Sequence, residues 1–124
     1  MILVDTSIWV DHLRRDNPVL TQLLEHGRAW THEFVIGELA CGNLRDRSDL
    51  LYFLTKLPRA STAVHRDVME LVERRQLHGV GIGWADAYLL TSVVIDGLLL
   101  WTLDKALQAA AGRLAVGASE PDFL

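Results

Sequence analysis

The stretch Leu98-Leu99-Leu100-Trp101-Thr102-Leu103-Asp104 is a nearly unbroken apolar run that stops on an acid. An apolar run of strand length with no polar alternation reads as a strand covered on both faces, as in a parallel sheet. Met1-Ile2-Leu3-Val4-Asp5 repeats the design at the start of the chain. Between them the pattern turns helical. Thr6-Ser7 predicts an N-cap for a helix carrying Ile8, Trp9 and Leu13. Asn17-Pro18 predicts another start, because proline suits the first helical position, and Gly27 predicts its stop. Residues 28–31 read as a short strand. Helices are expected through Phe34 and Leu39 to Gly42, over about 46–56, and from a Thr62 cap through Val64, Val68, Leu71 and Val72. Residues 84–95 read as a helix, and Asp104 as the cap of one ending near Gly112. Residues 57–61, weakened by Pro58, and 114–117 read as minor strands. Strands alternating with helices imply an α/β domain, here residues 1–124, with a parallel sheet and right-handed crossovers. In such sheets the functional crevice lies beyond the carboxyl ends of the strands.

Composition narrows the class. Of 124 residues, 50% are hydrophobic and 23% charged, which excludes disorder and suits one globular domain. The apolar segments 87–95 and 97–103 are closed by Asp86, Asp96 and Asp104, whereas a membrane span needs about 20 uninterrupted apolar residues. Residues 1–5 carry no basic head, so no secretory signal is expected. The single Cys41 excludes an internal disulfide and a cysteine-built zinc site, and the expected address is the cytoplasm. The formal net charge is −4, against the usual basic balance of a nucleic-acid binder.

Four acids sit at unusual places. Asp5 ends the first strand. Glu38 lies one turn after Phe34 on a helix face expected to pack. Asp86 opens a helix one turn before Leu90, and Asp104 follows the last major strand. Each has an ordinary reading as well: a cap, a dipole partner or a solvent-facing acid. Spacings of 33, 48 and 18 residues mean that only the fold can join them. If they converge, two carboxylates about 4 Å apart repel by about 4 kcal/mol at an effective dielectric of 20. Either some take up protons or a divalent cation neutralises them. Oxygen-only ligands favour Mg²⁺ or Mn²⁺ over zinc. Such a site draws phosphate oxygens and activates water for in-line displacement. These four acids account for the whole net charge of −4, so the acidic total does not exclude a nucleic-acid substrate.

The pattern resembles a known family. Val4-Asp5-Thr6-Ser7 after an apolar start, Gly37-Glu38-Leu39, Ala85-Asp86-Ala87, and Thr102-Leu103-Asp104 after an apolar strand are similar to the motifs of the PIN domain. Length and order fit its bacterial toxin branch, the VapC ribonucleases of type II toxin–antitoxin modules. The resemblance implies a Rossmann-like three-layer α/β/α sandwich with a short parallel sheet, and a Mg²⁺- or Mn²⁺-dependent endoribonuclease acting on RNA. It implies Asp5, Asp86 and Asp104 as metal ligands and catalytic residues, with Glu38 acting through water or orienting the nucleophile. Thr6, Ser7 and Thr102 are supporting hydroxyls for a carboxylate or a phosphate. It further implies a homodimer and a small cognate VapB-type antitoxin in a larger complex, with no membrane partner.

The remaining residues take plainer readings. His12, His26, His32, His65 and His78 share neither a face nor metal-ligand spacing and read as scattered surface histidines. Trp9, Trp30, Trp84 and Trp101 read as core or interface residues, with base stacking as the alternative. Asp96 and Asp122 read as loop acids. Ten arginines against two lysines suit phosphate contacts, Arg14-Arg15, Arg45 with Arg47, and Arg74-Arg75 being the pairs to inspect. Two other function classes fit the length and fold class: a receiver-like phosphoacceptor module and a catalytically silent interaction domain. The first needs adjacent acids after the first strand, and here Thr6 follows Asp5.

Overall fold

The computed structural model describes residues 1–123. Three parallel strands, β1 (Ile2–Val4), β2 (Ala29–Trp30) and β3 (Leu99–Trp101), pair in the order β2-β1-β3. Leu3 sits opposite Trp30 on one side and Leu100 on the other. Ile2, Leu3 and Val4 are each 0% exposed. Since successive strand residues face opposite sides, total burial of three in a row requires cover on both faces. That is the α/β/α sandwich expected from the apolar runs.

Helices α1 (Thr6–Arg15) and α2 (Pro18–Glu25) link β1 to β2. Helices α3 (Glu33–Cys41), α4 (Arg47–Leu54), α5 (His65–Arg74) and α6 (Trp84–Asp96) precede β3, and α7 (Lys105–Arg113) follows it. Buried Trp9, Leu20, Leu23, Leu39, Leu54, Leu90 and Leu107 seal the helices onto the sheet. Each such side chain contributes about 1.5–3 kcal/mol. The chain steps from β1 to β2 in one direction, then returns across β1 to lay β3 on its other side. The β1–β3 boundary is therefore the switch point where a crevice opens.

Local signals explain the boundaries. Asn17 Oδ1 accepts from the amides of Val19 and Leu20, and Pro18 opens α2. Gly27 follows with φ +65°, a left-handed conformation that glycine adopts without steric cost. Asp104 caps α7, accepting the Leu107 amide. Among the described residues no helix is long and apolar enough to cross a membrane.

Several expectations are corrected. Asp5, rather than Thr6-Ser7, occupies the cap position of α1. Residues 57–61 form one bridge, Thr31 to Arg59, because Pro58 has no amide to extend a ladder. Residues 114–117 likewise contribute one bridge, Leu100 to Gly117. Helix α5 starts at His65, not after Thr62. Side chains of α6 hold the preceding chain extended: Asp96 Oδ2 accepts the Ser61 amide at 2.6 Å and Ser92 Oγ the Ala63 amide at 3.1 Å. Asp96 is thus a helix-end acid with a structural partner. In β3 only Leu100 is fully buried, and Trp101 lies half-buried against Phe123 with ring centroids 4.8 Å apart.

The largest correction is His32, which is 0% exposed. Its Nδ1 accepts the Phe34 amide at 2.9 Å, capping α3, so the ring proton sits on Nε2 and is donated to Ser92 Oγ at 3.0 Å. The imidazole joins the start of α3 to the middle of α6, and Ser92 passes the link to Ala63. Burial lowers the His32 pKa from its ordinary 6.5; the charges of Glu33 and Asp96 oppose the shift and that of Arg59 assists it. The unfolded chain therefore takes up this proton first. Stability from neutral His32 is complete above pH 6.5 and declines as pH falls through the folded value. His32→Gln is expected to cost about 1–3 kcal/mol at neutral pH and to flatten the loss of stability just below pH 6.5. Denaturation across that interval tests this, and an unchanged slope would place the titration elsewhere.

Candidate active site

Asp5 leaves the carboxyl end of β1 and is 7% exposed. Its amide still bonds the Trp101 carbonyl at 3.0 Å, which holds it beside the end of β3. Its carboxylate caps no amide of α1. Instead Oδ2 accepts two hydroxyl protons, from Thr102 Oγ1 at 2.6 Å and Ser7 Oγ at 2.8 Å. Each hydroxyl in turn accepts a backbone amide at the head of α7: Asp104 donates to Thr102 at 3.0 Å and Leu103 to Ser7 at 2.9 Å. With both protons committed to Asp5, the 3.2 Å approach of Ser7 to Thr102 carries no donated proton. Gln108 Nε2 closes the assembly on the Thr102 carbonyl at 2.7 Å.

Asp104 follows β3 and is exposed. Its Oδ1 is spent on the Leu107 amide. Asp86 is half-buried in the first turn of α6, where Oδ2 accepts the Gly83 amide at 3.0 Å. Burial pushes the Asp86 carboxyl above the usual carboxylate range, and the Gly83 amide opposes this. The charges of Asp5, Asp104 and Glu38 all push it further up. All four acids thus act on one electrostatic neighbourhood, although they come from four separate elements. Glu38 reaches it from α3 as an exposed side chain, with Val35 and Leu39 facing the core, so it does not lie on the packed face.

The three aspartates share a feature. Each fixes one carboxylate oxygen with a hydrogen bond and leaves the other, Oδ1 of Asp5 and Asp86 and Oδ2 of Asp104, without a partner among the described residues. Among those residues no three His, Cys, Asp or Glu side chains are drawn tightly enough to enclose an ion alone. The donor set still fits a hard divalent cation of the Mg²⁺ kind, which is held by one or two carboxylates together with water and substrate phosphate. Thr6 is not part of the network; its Oγ1 is buried without a hydrogen-bond partner among the described residues.

The PIN domain profile matches residues 2–113. The chain belongs to the PIN domain family. It is 44% identical over 121 residues to Ribonuclease VapC32 of Mycobacterium tuberculosis, in both strain CDC 1551 / Oshkosh and strain ATCC 25618 / H37Rv. That match covers 97% of this chain and 98% of the relative. The crystal structure of PAE2754 from Pyrobaculum aerophilum shares the fold, with a TM-score of 0.60 at 19% identity over 92% of this chain and 94% of that one. The resemblance to VapC-type PIN domains read from the sequence therefore holds, and the receiver-like alternative falls.

Several of the arginines singled out in this PIN domain have partners within the fold. Arg15 pairs with Asp11, Arg74 with Glu70, Arg47 bonds the Ala40 carbonyl, and Arg75 bonds the Arg113 carbonyl. Sequence reasoning missed Gln108 and the His32–Ser92 link, since neither spacing nor composition marks them. The hydroxyl network yields a test. Thr102→Val keeps the shape but leaves Asp5 Oδ2 with the Ser7 hydroxyl alone and strands the Asp104 amide, and it should cost about 1–3 kcal/mol in chemical denaturation. Thr102→Ser should recover most of that. Ser7→Ala and Thr102→Val together should be non-additive, because both hydroxyls serve one oxygen.

Proposed function

We propose that this protein is a Mg²⁺- or Mn²⁺-dependent endoribonuclease, the toxin of a VapBC-type pair, with its site built on Asp5, Glu38, Asp86 and Asp104. The observation that carries the reading is the shared neighbourhood of these acids at the β1–β3 switch point. The 44% identity to a ribonuclease supports it. In this reading RNA is the substrate, a VapB-type antitoxin and a second copy are the protein partners, and the cytoplasm is the compartment.

Asp5, Asp86 and Asp104 would hold the ion through the oxygens their structural bonds leave over. When bound, such an ion lowers the pKa of a water and stabilises the leaving oxygen of an in-line displacement. The chain itself supplies position and charge. Ser7 and Thr102 lock the Asp5 carboxylate so that it cannot swing away as the site fills. Gly83 holds Asp86, and Leu107 holds Asp104, in the same manner. Glu38, with no hydrogen bond or ion pair among the described residues, is available to accept a proton from the attacking water.

Asp5→Asn and Asp104→Asn should each lower cleavage of single-stranded RNA by at least about 100-fold, since loss of outer partners of a metal site alone costs about 10–100-fold. EDTA should abolish cleavage. Mg²⁺ at about 100 times its dissociation constant should stabilise the wild type by about 2.7 kcal/mol, and this gain should be lost in Asp104→Asn. Asp86→Asn should melt higher than wild type without metal, because it removes a half-buried charge repelled by three others. Full cleavage by Asp104→Asn, or in EDTA, would overturn the proposal. Metal-dependent stabilisation with no RNA cleavage would favour a silent interaction domain.

A further inference from the structure

Trp84 stands at the first position of α6, two residues before Asp86, in the helical turn whose carboxylate feels the charges of the other three acids. It is 46% exposed, unusually open for the largest apolar side chain. Its ring is nevertheless held. His65 of α5 meets it with centroids 5.3 Å apart at 62°, and Tyr88, one turn further along α6, at 5.0 Å and 90°. Tyr88 leans on Phe34 of α3 at 4.8 Å, and Phe34 on the buried His32 at 5.3 Å. A chain of five rings thus runs from solvent to the core, and Glu38 lies one turn beyond Phe34 on α3. Both contacts to Trp84 are edge-type, so no ring among the described residues lies flat on the indole.

We propose that Trp84 is a stacking platform for a base of the RNA substrate beside the scissile phosphate, and so a specificity-determining residue. The inference rests on the ribonuclease reading above. A flat, buttressed aromatic surface in the same helical turn as Asp86 suits an unstacked base of single-stranded RNA. The acids and any bound metal deal with phosphate and water and carry no base information. Trp84 contacts the base, whereas His65 and Tyr88 are positioning residues that act by keeping the indole upright.

The test separates this proposal from the reading beneath it. Wild type, Trp84→Phe and Trp84→Leu are compared on one single-stranded RNA in Mg²⁺, with kcat and KM resolved. Melting temperature and sedimentation are recorded for each. Trp84→Leu should raise KM about 5- to 150-fold with kcat little changed, the range a lost base–aromatic stack covers. Trp84→Phe should retain most of the affinity. A second arm needs no cleavage: a short single-stranded oligonucleotide added to the Asp104→Asn protein should quench the fluorescence that disappears in Asp104→Asn with Trp84→Phe. An unchanged KM in Trp84→Leu, or no quenching of the Trp84 signal, overturns the platform even where wild type cleaves RNA. A change in sedimentation with KM intact also overturns it, assigning Trp84 to contact between copies. If wild type cleaves nothing, the ribonuclease reading fails, and the quenching arm still decides whether Trp84 meets bases.

Discussion

Two hydroxyl groups hold the ends of β1 and β3 together around one carboxylate oxygen. Thr102 and Ser7 each donate to Asp5 Oδ2 and each accept an amide from the start of α7. All four hydrogen bonds point the same way, from backbone N–H through hydroxyl to carboxylate, so each polarises the next. This orientation makes it possible to bury an acid at 7% exposure in the middle of the molecule. A buried carboxylate without such partners would be strongly destabilising. The same bonds fix where α1 and α7 begin relative to the sheet, so the path of the chain and the placement of the acids are one constraint.

That constraint solves only half of the electrostatic problem. Hydrogen bonds satisfy one oxygen of each aspartate, yet the acids still repel: burial does most to raise the Asp86 carboxyl, and the charges of Asp5, Asp104 and Glu38 push it further the same way. The remaining repulsion is moderated by exposure. Asp5 is buried and doubly bonded, Asp86 is half-buried with a single amide, and Asp104 and Glu38 lie open to solvent. The most buried acid, Asp5, has the most partners, and Glu38, open to solvent, has none among the described residues, as expected if desolvation has to be offset where it is greatest. The folded protein thereby tolerates a concentration of negative charge that a fully buried cluster would not.

The fold was legible wherever a signal was local and strong. The apolar runs ending on Asp5 and Asp104 announced central strands, and Asn17-Pro18 and Asp104 announced helix starts. Legibility failed where a distant side chain overrode local preference. Thr62 looks like a cap, but Asp96 and Ser92 hold the amides of Ser61 and Ala63 and delay α5 to His65. His32 looks like any polar residue before a helix, and only Ser92, 60 residues away, explains its burial. The four acids were visible as anomalies of placement, and their common neighbourhood was legible only through the expected strand order. The division of labour between Asp5, Ser7 and Thr102 was not, because hydrogen-bond direction depends on amides that sequence spacing does not locate.

His32 and Asp5 show how one sheet supports opposite requirements. Both follow parallel strands, both mark a helix start, and both are buried. At the end of β2 the chain places an imidazole whose two nitrogens are fully used, one accepting and one donating, so the neutral form is favoured and nothing remains for chemistry. At the end of β1 it places a carboxylate with one oxygen engaged and one left over. The neutral cap locks the start of α3, and α3 carries Glu38 one turn and a half later. The buried His32 anchors the first turn of the helix that carries the exposed Glu38. One strand end thus closes its hydrogen bonds completely, and the other keeps a carboxylate oxygen with lone pairs to spare.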